Sequence, residues 1–207
     1  MITIGVTGGI GSGKSVVTAT LRELGAPLID ADLVGHEIYQ PGAPAYAELV
    51  AEFGERILAP DRTVDRKKLG PIVFADPAAL KRLNSIVHPK MLMRMQEMIA
   101  ELRARGEKLP IVIEAAILIE ANWQPLFDEI WLVSAPRALI LSRLERDRGM
   151  KADQTEARIR AQLSDQERQQ HASVLIENAG SVNDLRARVR ELWQAAIAKG
   201  RSKTDNA

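Results

Sequence analysis

The chain has 207 residues, of which 46% are hydrophobic and 27% charged, a balance that excludes wholesale disorder and fibrous repeats and predicts one domain with room for an inserted substructure. Its 28 basic and 27 acidic residues nearly cancel, so net charge gives no support to a nucleic-acid partner. Cysteine is absent, which excludes disulfides, thiolate metal sites and a cysteine nucleophile.

The first residues, Met1 to Gly9, lack the basic start and long apolar stretch of a secretory signal, and no later run is long enough to span a membrane. A cytoplasmic protein is expected. Residues Ile2 to Thr7 alternate apolar with small or polar side chains, a glycine-rich turn follows, and Val17, Leu21 and Leu24 then recur at helical spacing. The pattern predicts a strand, a loop and a helix. Gly25, Ala26 and Pro27 stop that helix, and Leu28-Ile29 forms a short second strand that ends in Asp30-Ala31-Asp32. Ile111 to Glu114, Ile130 to Val133 and Val174 to Ile176 are the later strand candidates.

Between the second and third strands lies a mostly helical stretch from about Leu33 to Glu107, with proline breaks expected at Pro41-Gly42, Pro60-Asp61, Asp76-Pro77 and His88-Pro89. It is too long for an ordinary connection, so a helical substructure inserted in an α/β core is expected. Leu92, Met95, Ile99 and Leu102 form an apolar stripe on its last helix, read as a core-facing seam. After Pro136 a helix is expected through Arg146, then a charged break over Asp147 to Asp153, then a second helix opening at Asp153 with Glu156 and running to about Gln170. A helix pair with a polar hinge has the makings of a lid. The last helix opens with Ser181 and Asp184 at capping-box spacing and buries Leu185, Val189, Leu192 and Ala196, while Lys199 to Ala207 reads as a frayed tail.

Chemistry enters at Gly8-Gly9-Ile10-Gly11-Ser12-Gly13-Lys14-Ser15, which fits G-x-x-x-x-G-K-[ST] in full and stands between a predicted strand and a predicted helix. Glycines let such a loop turn successive N–H groups inward on phosphate oxygens, helped by the positive end of the following helix. Lys14 is expected to reach the β and γ phosphates, and the Ser15 hydroxyl to ligate Mg²⁺. The loop alone says nucleoside triphosphate. It leaves open whether the phosphoryl group goes to water, a protein or a small molecule.

A GTPase would need an Asn-Lys-x-Asp element, which the chain lacks, and a nucleic-acid ATPase would bring a strongly basic face. A kinase needs a base near the acceptor hydroxyl, cations for the transferring group and a cover against water. Asp30 and Asp32 fall at the carboxyl end of the second strand, the edge where parallel sheets gather ligands, and Asp32 is the chosen base. Capping of the next helix is the competing use for this pair. Glu114, ending the third strand, is a rival carboxylate suited to a metal-bound water. Arg143, Arg146, Arg148 and Lys151 cluster at the hinge, where a closing lid would bring a guanidinium to the γ-phosphate, although interleaved Glu145 and Asp147 also suit a solvated, salt-bridged face.

Beyond the loop, Asp30-Ala31-Asp32 followed by Pro41-Gly42, Asp65-Arg66 with Leu69, and Leu83-Asn84 with His88-Pro89 come in an order and at a spacing that resemble the dephospho-CoA kinase family, and the likeness continues through the arginine-rich lid to Asn178. That resemblance implies an α/β P-loop NTPase three-layer fold with a five-stranded parallel sheet, an inserted helical substrate-binding substructure and a helical lid. It implies transfer from ATP, with Mg²⁺, to the ribose 3′-hydroxyl of dephospho-CoA, the last step of coenzyme A synthesis. In its terms Asp32 is the general base, and Lys14 and Arg143 stabilise the phosphoryl group. Gly8 and Gly11 to Val16, that is Gly11, Ser12, Gly13, Lys14, Ser15 and Val16, wrap the ATP phosphates, and Arg66 and His88 receive the substrate. The expected layout is a core of about 1–32 and 108–200, an insertion over about 33–107, a lid over about 143–170 and a flexible tail at 201–207. Another small-molecule kinase, acting on a nucleoside or nucleotide, is the alternative enzyme.

Two departures from the family pattern stand out. Ala116-Ile117-Leu118 replaces the usual Pro-Leu-Leu after the third strand, keeping apolar bulk but losing a rigid turn. Asp61-Arg62 replaces an Asp-Gly turn, so a differently built hairpin is expected there.

Overall fold

The computed structural model describes residues 1–205, which divide into two compact units, one made of residues 1–29 with the chain from Gly106 onward, the other of Asp30–Arg105. In the first unit the apolar alternation becomes a five-stranded, all-parallel sheet. Its strands are β1 (Thr3–Gly8), β2 (Leu28–Asp30), β3 (Ile111–Glu114), β4 (Glu129–Ser134) and β5 (Val174–Glu177), in the spatial order β2-β3-β1-β4-β5. Central β1 is buried along its whole length and pairs Val6 with Glu114 on one side and Thr7 with Leu132 on the other. Such continuous burial is what parallel strands covered on both faces require.

Helix α1 (Lys14–Glu23) follows β1, and its Val17 and Leu21 meet Ile4, Val6 and Val133 of the sheet together with Leu185, Val189, Trp193 and Ala196. Those last four lie on α9 (Val182–Asp205), which opens where expected: Ser181 and Asp184 exchange backbone and side-chain hydrogen bonds of 2.9 Å and 3.2 Å. The tail expected from 201 onward is helical to Asp205, and residues 206–207 lie outside the described residues.

The lid region differs from its sequence reading. Helix α6 (Arg137–Arg148) ends on Gly149 in the left-handed conformation, but two helices follow instead of one, α7 (Ala152–Arg160) and α8 (Asp165–Gln169). Asp153 and Glu156 do not cap α7, whose N-cap Lys151 makes no side-chain capping bond; Glu156 pairs with Arg137 instead. The chain restarts at a full capping box that the sequence reading passed over, Ser164 with Glu167. Each such reciprocal bond satisfies a backbone donor, so the box competes with continuing α7 through Leu163.

In the second unit α2 (Ala31–Glu37), α3 (Tyr46–Phe53) and α4 (Arg66–Ala75) accompany the long α5 (Pro77–Ala104). No break occurs at His88-Pro89: α5 runs through the proline, which is an exposed residue, while Met91, Met95 and Ile99 are buried on one face. Burying three large apolar side chains at about 1.5–3 kcal/mol each outweighs the roughly 3 kcal/mol of an interior proline. Leu92 and Leu102, expected in the seam, are only half-buried, and Met91 takes the central place. Helix α2 approaches α5 closely, since a Cβ on Gly35 would lie 3.3 Å from Met91 Cε. The hairpin at Asp61-Arg62 closes with Arg62 itself in the left-handed region at φ 69°, where glycine is at ease, and with Ala59 N–H donating to Thr63 O at 2.8 Å.

Candidate active site

The sequence G-G-I-G-S-G-K-S folds into a loop between β1 and α1 because its glycines supply what other residues resist. Gly11 and Gly13 have φ of 72° and 99°, left-handed values that favour glycine. Gly13 is also the N-cap of α1 and offers no side chain to its amides, and the first turn of α1 carries no acidic residue. The helix therefore presents free N–H groups and an uncompensated positive end, the makings of an anion site. Ser15 is exposed at this end, and the buried Ser12 hydroxyl has no hydrogen-bond partner.

Lys14 and Glu114, at the ends of α1 and β3, form an ion pair in which both side chains are 17% exposed. The two groups assigned to phosphate and to a metal-bound water thus neutralise each other here. Arg143, alone among the basic residues read as a hinge cluster, turns to the end of β5: its Nη2 donates to Asn178 Oδ1 at 3.2 Å and to Asn178 O at 3.3 Å. Arg146 pairs with Asp147 on the surface and Arg148 and Lys151 are exposed, so for Arg146 the salt-bridged face is what the structure has.

Asn178 was not singled out from the sequence as a site residue. Its buried carboxamide donates from Nδ2 to Ser12 O at 2.9 Å while its backbone N–H donates to Ser134 O at 2.7 Å. A Cβ on Gly13 would overlap that carboxamide, so Gly13 is required by space as well as by φ. The sequence signal was Asn178's place just past the last strand, at the ligand-gathering edge of the sheet. The segment after β3 seats Leu118, fully buried, against Gly5, with Ala116 O accepting from Thr7 Oγ1 at 3.4 Å. Apolar bulk is retained there without the proline.

In the second unit the ambiguity at Asp30-Ala31-Asp32 resolves by role. Asp30 is the N-cap of α2, its Oδ1 accepting from Asp32 N at 2.9 Å and Leu33 N at 3.4 Å. Asp32 lies in the first turn with its side chain exposed. Tyr39 feels both Asp32 and Arg66: burial pushes the Tyr39 hydroxyl above its ordinary pKa, Arg66 pulls it back and Asp32 adds to the rise. Arg66 contacts His36 Nε2, and the His36 and Tyr39 rings are 5.6 Å apart at 45°. Tyr39 thus links Asp32 and Arg66 electrostatically, and Tyr39 and His36 are two side chains the sequence reading missed. Their signal was available, since 32, 36 and 39 are spaced i, i+4, i+7 on one helical face. The Asp65-Arg66 pair divides its work, Asp65 capping α4 through Lys67 N at 2.8 Å and Arg66 following as the first helical residue. His88 is half-buried on α5, and burial lowers its pKa.

A phosphate loop with a lysine–glutamate pair at its end belongs to nucleotide chemistry. The family model described as dephospho-CoA kinase matches residues 2–184. The chain belongs to the dephospho-CoA kinase family. Its activity is the ATP-dependent phosphorylation of dephospho-CoA, in coenzyme A biosynthesis. Among curated dephospho-CoA kinases it is 43% identical to that of Thermobifida fusca over 94% of this chain and 96% of the relative, and 43% identical to that of Geobacter metallireducens over 96% and 98%. A solved dephospho-CoA kinase from Campylobacter jejuni superposes with a TM-score of 0.72 at 26% identity, covering 96% of this chain and 98% of that one. A shikimate kinase from Acinetobacter baumannii, with a TM-score of 0.52 and 18% identity over 96% and 94%, shares the fold. Among the described residues no helix is long and apolar enough to cross a membrane, and no three of His, Asp and Glu gather as a metal cluster.

Proposed function

We propose that the acceptor is the ribose 3′-hydroxyl of dephospho-CoA, that Asp32 is its general base, and that transfer from MgATP is direct and in line, with no covalent enzyme intermediate. The observation that carries the assignment is the division of labour in α2: Asp30 takes the cap, and Asp32 is left exposed. An exposed carboxylate that is not consumed by structure is available to take a proton. Arg66 and His88 belong to the substrate-binding helices in this reading, with His36 and Tyr39 beside Arg66.

Lys14 exchanges its Glu114 partner for the β and γ oxygens, and Arg143 neutralises charge that grows on the transferring group. The N–H groups from Gly11 to Val16, with Gly8 allowing the turn, cradle the phosphates. Ser15 would hold Mg²⁺, which would supply charge neutralisation at the triphosphate; one exposed hydroxyl suits an ion that keeps most of its waters and arrives with the nucleotide. Glu114, once released by Lys14, is placed to hold one of those waters. The reaction is read as cytoplasmic and needing no macromolecular partner.

The test pairs substrate with residue. Formation of ADP should require dephospho-CoA, with CoA appearing in equal amount, and should not respond to adenosine, AMP or uridine. Asp32→Asn should lose about 10²–10⁴ in kcat with MgATP binding intact; undiminished turnover would refute the base.

A further inference from the structure

Arg168 is the most deeply buried charged side chain in the described residues, 2% exposed, and the chemistry above makes no use of it. It lies in α8, a short helix of mostly polar residues, and it is directed inward. Its Nη2 donates to Glu120 Oε1 at 3.0 Å, its Nη1 lies 3.7 Å from Asp165 Oδ1, and its Nε has no hydrogen-bond partner. Burying a guanidinium is costly, so a site that does it needs both carboxylates close by. What lies against that guanidinium is the phosphate loop. A Cβ on Gly9 would be 3.2 Å from Arg168 Nη1, 3.5 Å from Gln162 Oε1 and 3.9 Å from Asp165 Oδ1. The next residue of the loop, Ile10, donates its N–H to Gln162 Oε1 at 3.0 Å.

Two pieces of chain therefore meet over Gly9 and Ile10, the turn after α7 through Gln162 and α8 through Arg168, and the stretch after β3 holds Arg168 through Glu120. On the other side of the loop, α6 packs on Gly11, where a Cβ would be 2.9 Å from Ile140 Cγ2 and 3.2 Å from Leu144 Cγ. The loop's first half is thus contacted by α6 through Ile140 and Leu144 and by Gln162 and Arg168 of the region read as a lid. We infer that Arg168, held by Glu120 and acting with Gln162, is a positioning residue for phosphoryl transfer: it ties the outgoing end of the lid to Gly9 and Ile10, so that the loop's grip on MgATP depends on that tie. The inference rests on reading the loop as the MgATP site. It gives Glu120 a task as the carboxylate that lets Arg168 be buried, and it gives Gly9 a reason to be glycine, since any side chain would press on the tie.

Three variants in the full chain test this. Gln162→Met keeps bulk and removes the acceptor for Ile10 N–H, Arg168→Lys keeps charge and loses the planar fork, and Glu120→Gln weakens the hold on Arg168. MgATP affinity is measured calorimetrically with no acceptor present, and KM for each substrate and kcat are measured alongside thermal melting. Gln162→Met should weaken MgATP binding about fivefold to tenfold, the worth of one hydrogen bond, with KM for dephospho-CoA changed less than about twofold, and combining it with Glu120→Gln should give less than the product of the single effects. MgATP affinity and both KM values within about twofold of wild type in Gln162→Met and Arg168→Lys, with only the melting temperature lowered, would make the cluster structural and overturn the inference. Failure of the wild-type chain to use dephospho-CoA would count against the acceptor reading alone, because MgATP binding still decides the tie.

Discussion

The phosphate loop and the Asp32 cluster, which the proposed reaction joins, are built on opposite plans. Around the loop nearly every restraint is a short-range fit: Asn178 fills the space beside Gly13, Ile140 and Leu144 cover Gly11, and Arg168 and Gln162 stand over Gly9. The Asp32 cluster is drawn from two capped helices, α2 and α4, and its members Asp32 and Arg66 are exposed while His36 and Tyr39 are half-buried. Phosphates are the same in every triphosphate and reward a rigid mould of backbone amides, whose dipoles need no reorganisation when charge develops. A large acceptor is met by charged and aromatic side chains that can rearrange as it docks.

A pair of glycines puts the contrast to its hardest test. Gly13 and Gly42 both have positive φ, 99° and 83°, but a Cβ on Gly42 would meet nothing within 4 Å, whereas on Gly13 it would collide with the Asn178 carboxamide. Gly42→Ala should cost about 1 kcal/mol, from conformation alone. Gly13→Ala carries the same conformational cost and in addition must displace Asn178, breaking the Ser12 and Arg143 bonds together. It should weaken MgATP binding by about 10² or more, at roughly 1–1.5 kcal/mol per disrupted bond plus the strain. Equal effects of the two changes on nucleotide binding would mean that the loop is no more tightly moulded than a surface turn.

A smaller effect probes the second unit through pH. Burial lowers the pKa of His88, so the folded chain binds its proton less well than the unfolded chain does. Between the folded value and the ordinary imidazole value of about 6.5 the unfolded state holds more protons. The contribution of this residue to stability is therefore complete above pH about 6.5 and is lost as pH falls below it. Urea midpoints at pH 7.5 and 5.5 should converge in His88→Gln relative to wild type. A pH dependence unchanged by the substitution would place the titrating group elsewhere.

The difference between the two regions also governs what the sequence made legible. The strands, the loop and the final capping box were readable because each is written in adjacent residues: alternation, a glycine string, Ser181 with Asp184. Asp32 could be chosen from the sequence, but not which of the pair would be spent on capping, since Asp30 and Asp32 differ by which amides lie within reach, a matter of helix geometry. Pro89 misled because a local breaker was weighed without the burial of Met91, Met95 and Ile99 that carries α5 past it. Arg168 was not readable at all. In Asp165-Gln166-Glu167-Arg168 it looks like a solvated residue, and its burial depends on Glu120, 48 positions away.

The smallest expected effect concerns a place where the chain departs from the family pattern and the structure absorbs the change. Arg62 occupies the left-handed region at φ 69° in a hairpin closed by Ala59 and Thr63, with the Arg62 carbonyl accepting from Tyr46 Oη at 2.6 Å. A non-glycine residue there carries a conformational cost of about 1 kcal/mol. Its side chain returns little, because the pair it makes with Glu55 joins groups that are 59% and 70% exposed, and ion pairs in water are worth about 0–1 kcal/mol. Arg62→Gly keeps every backbone bond of the turn, including the Tyr46 contact. It should leave kcat and both KM values unchanged and raise the melting temperature by about 1–3 °C, the shift that several tenths of a kcal/mol to 1 kcal/mol produces in a chain of this size. A fall in melting temperature would show that the Glu55 pair outweighs the strain. A change in turnover would mean instead that this hairpin belongs to the acceptor side of the reaction, and the line drawn here between a moulded phosphate site and a loosely held acceptor cluster would have to be moved.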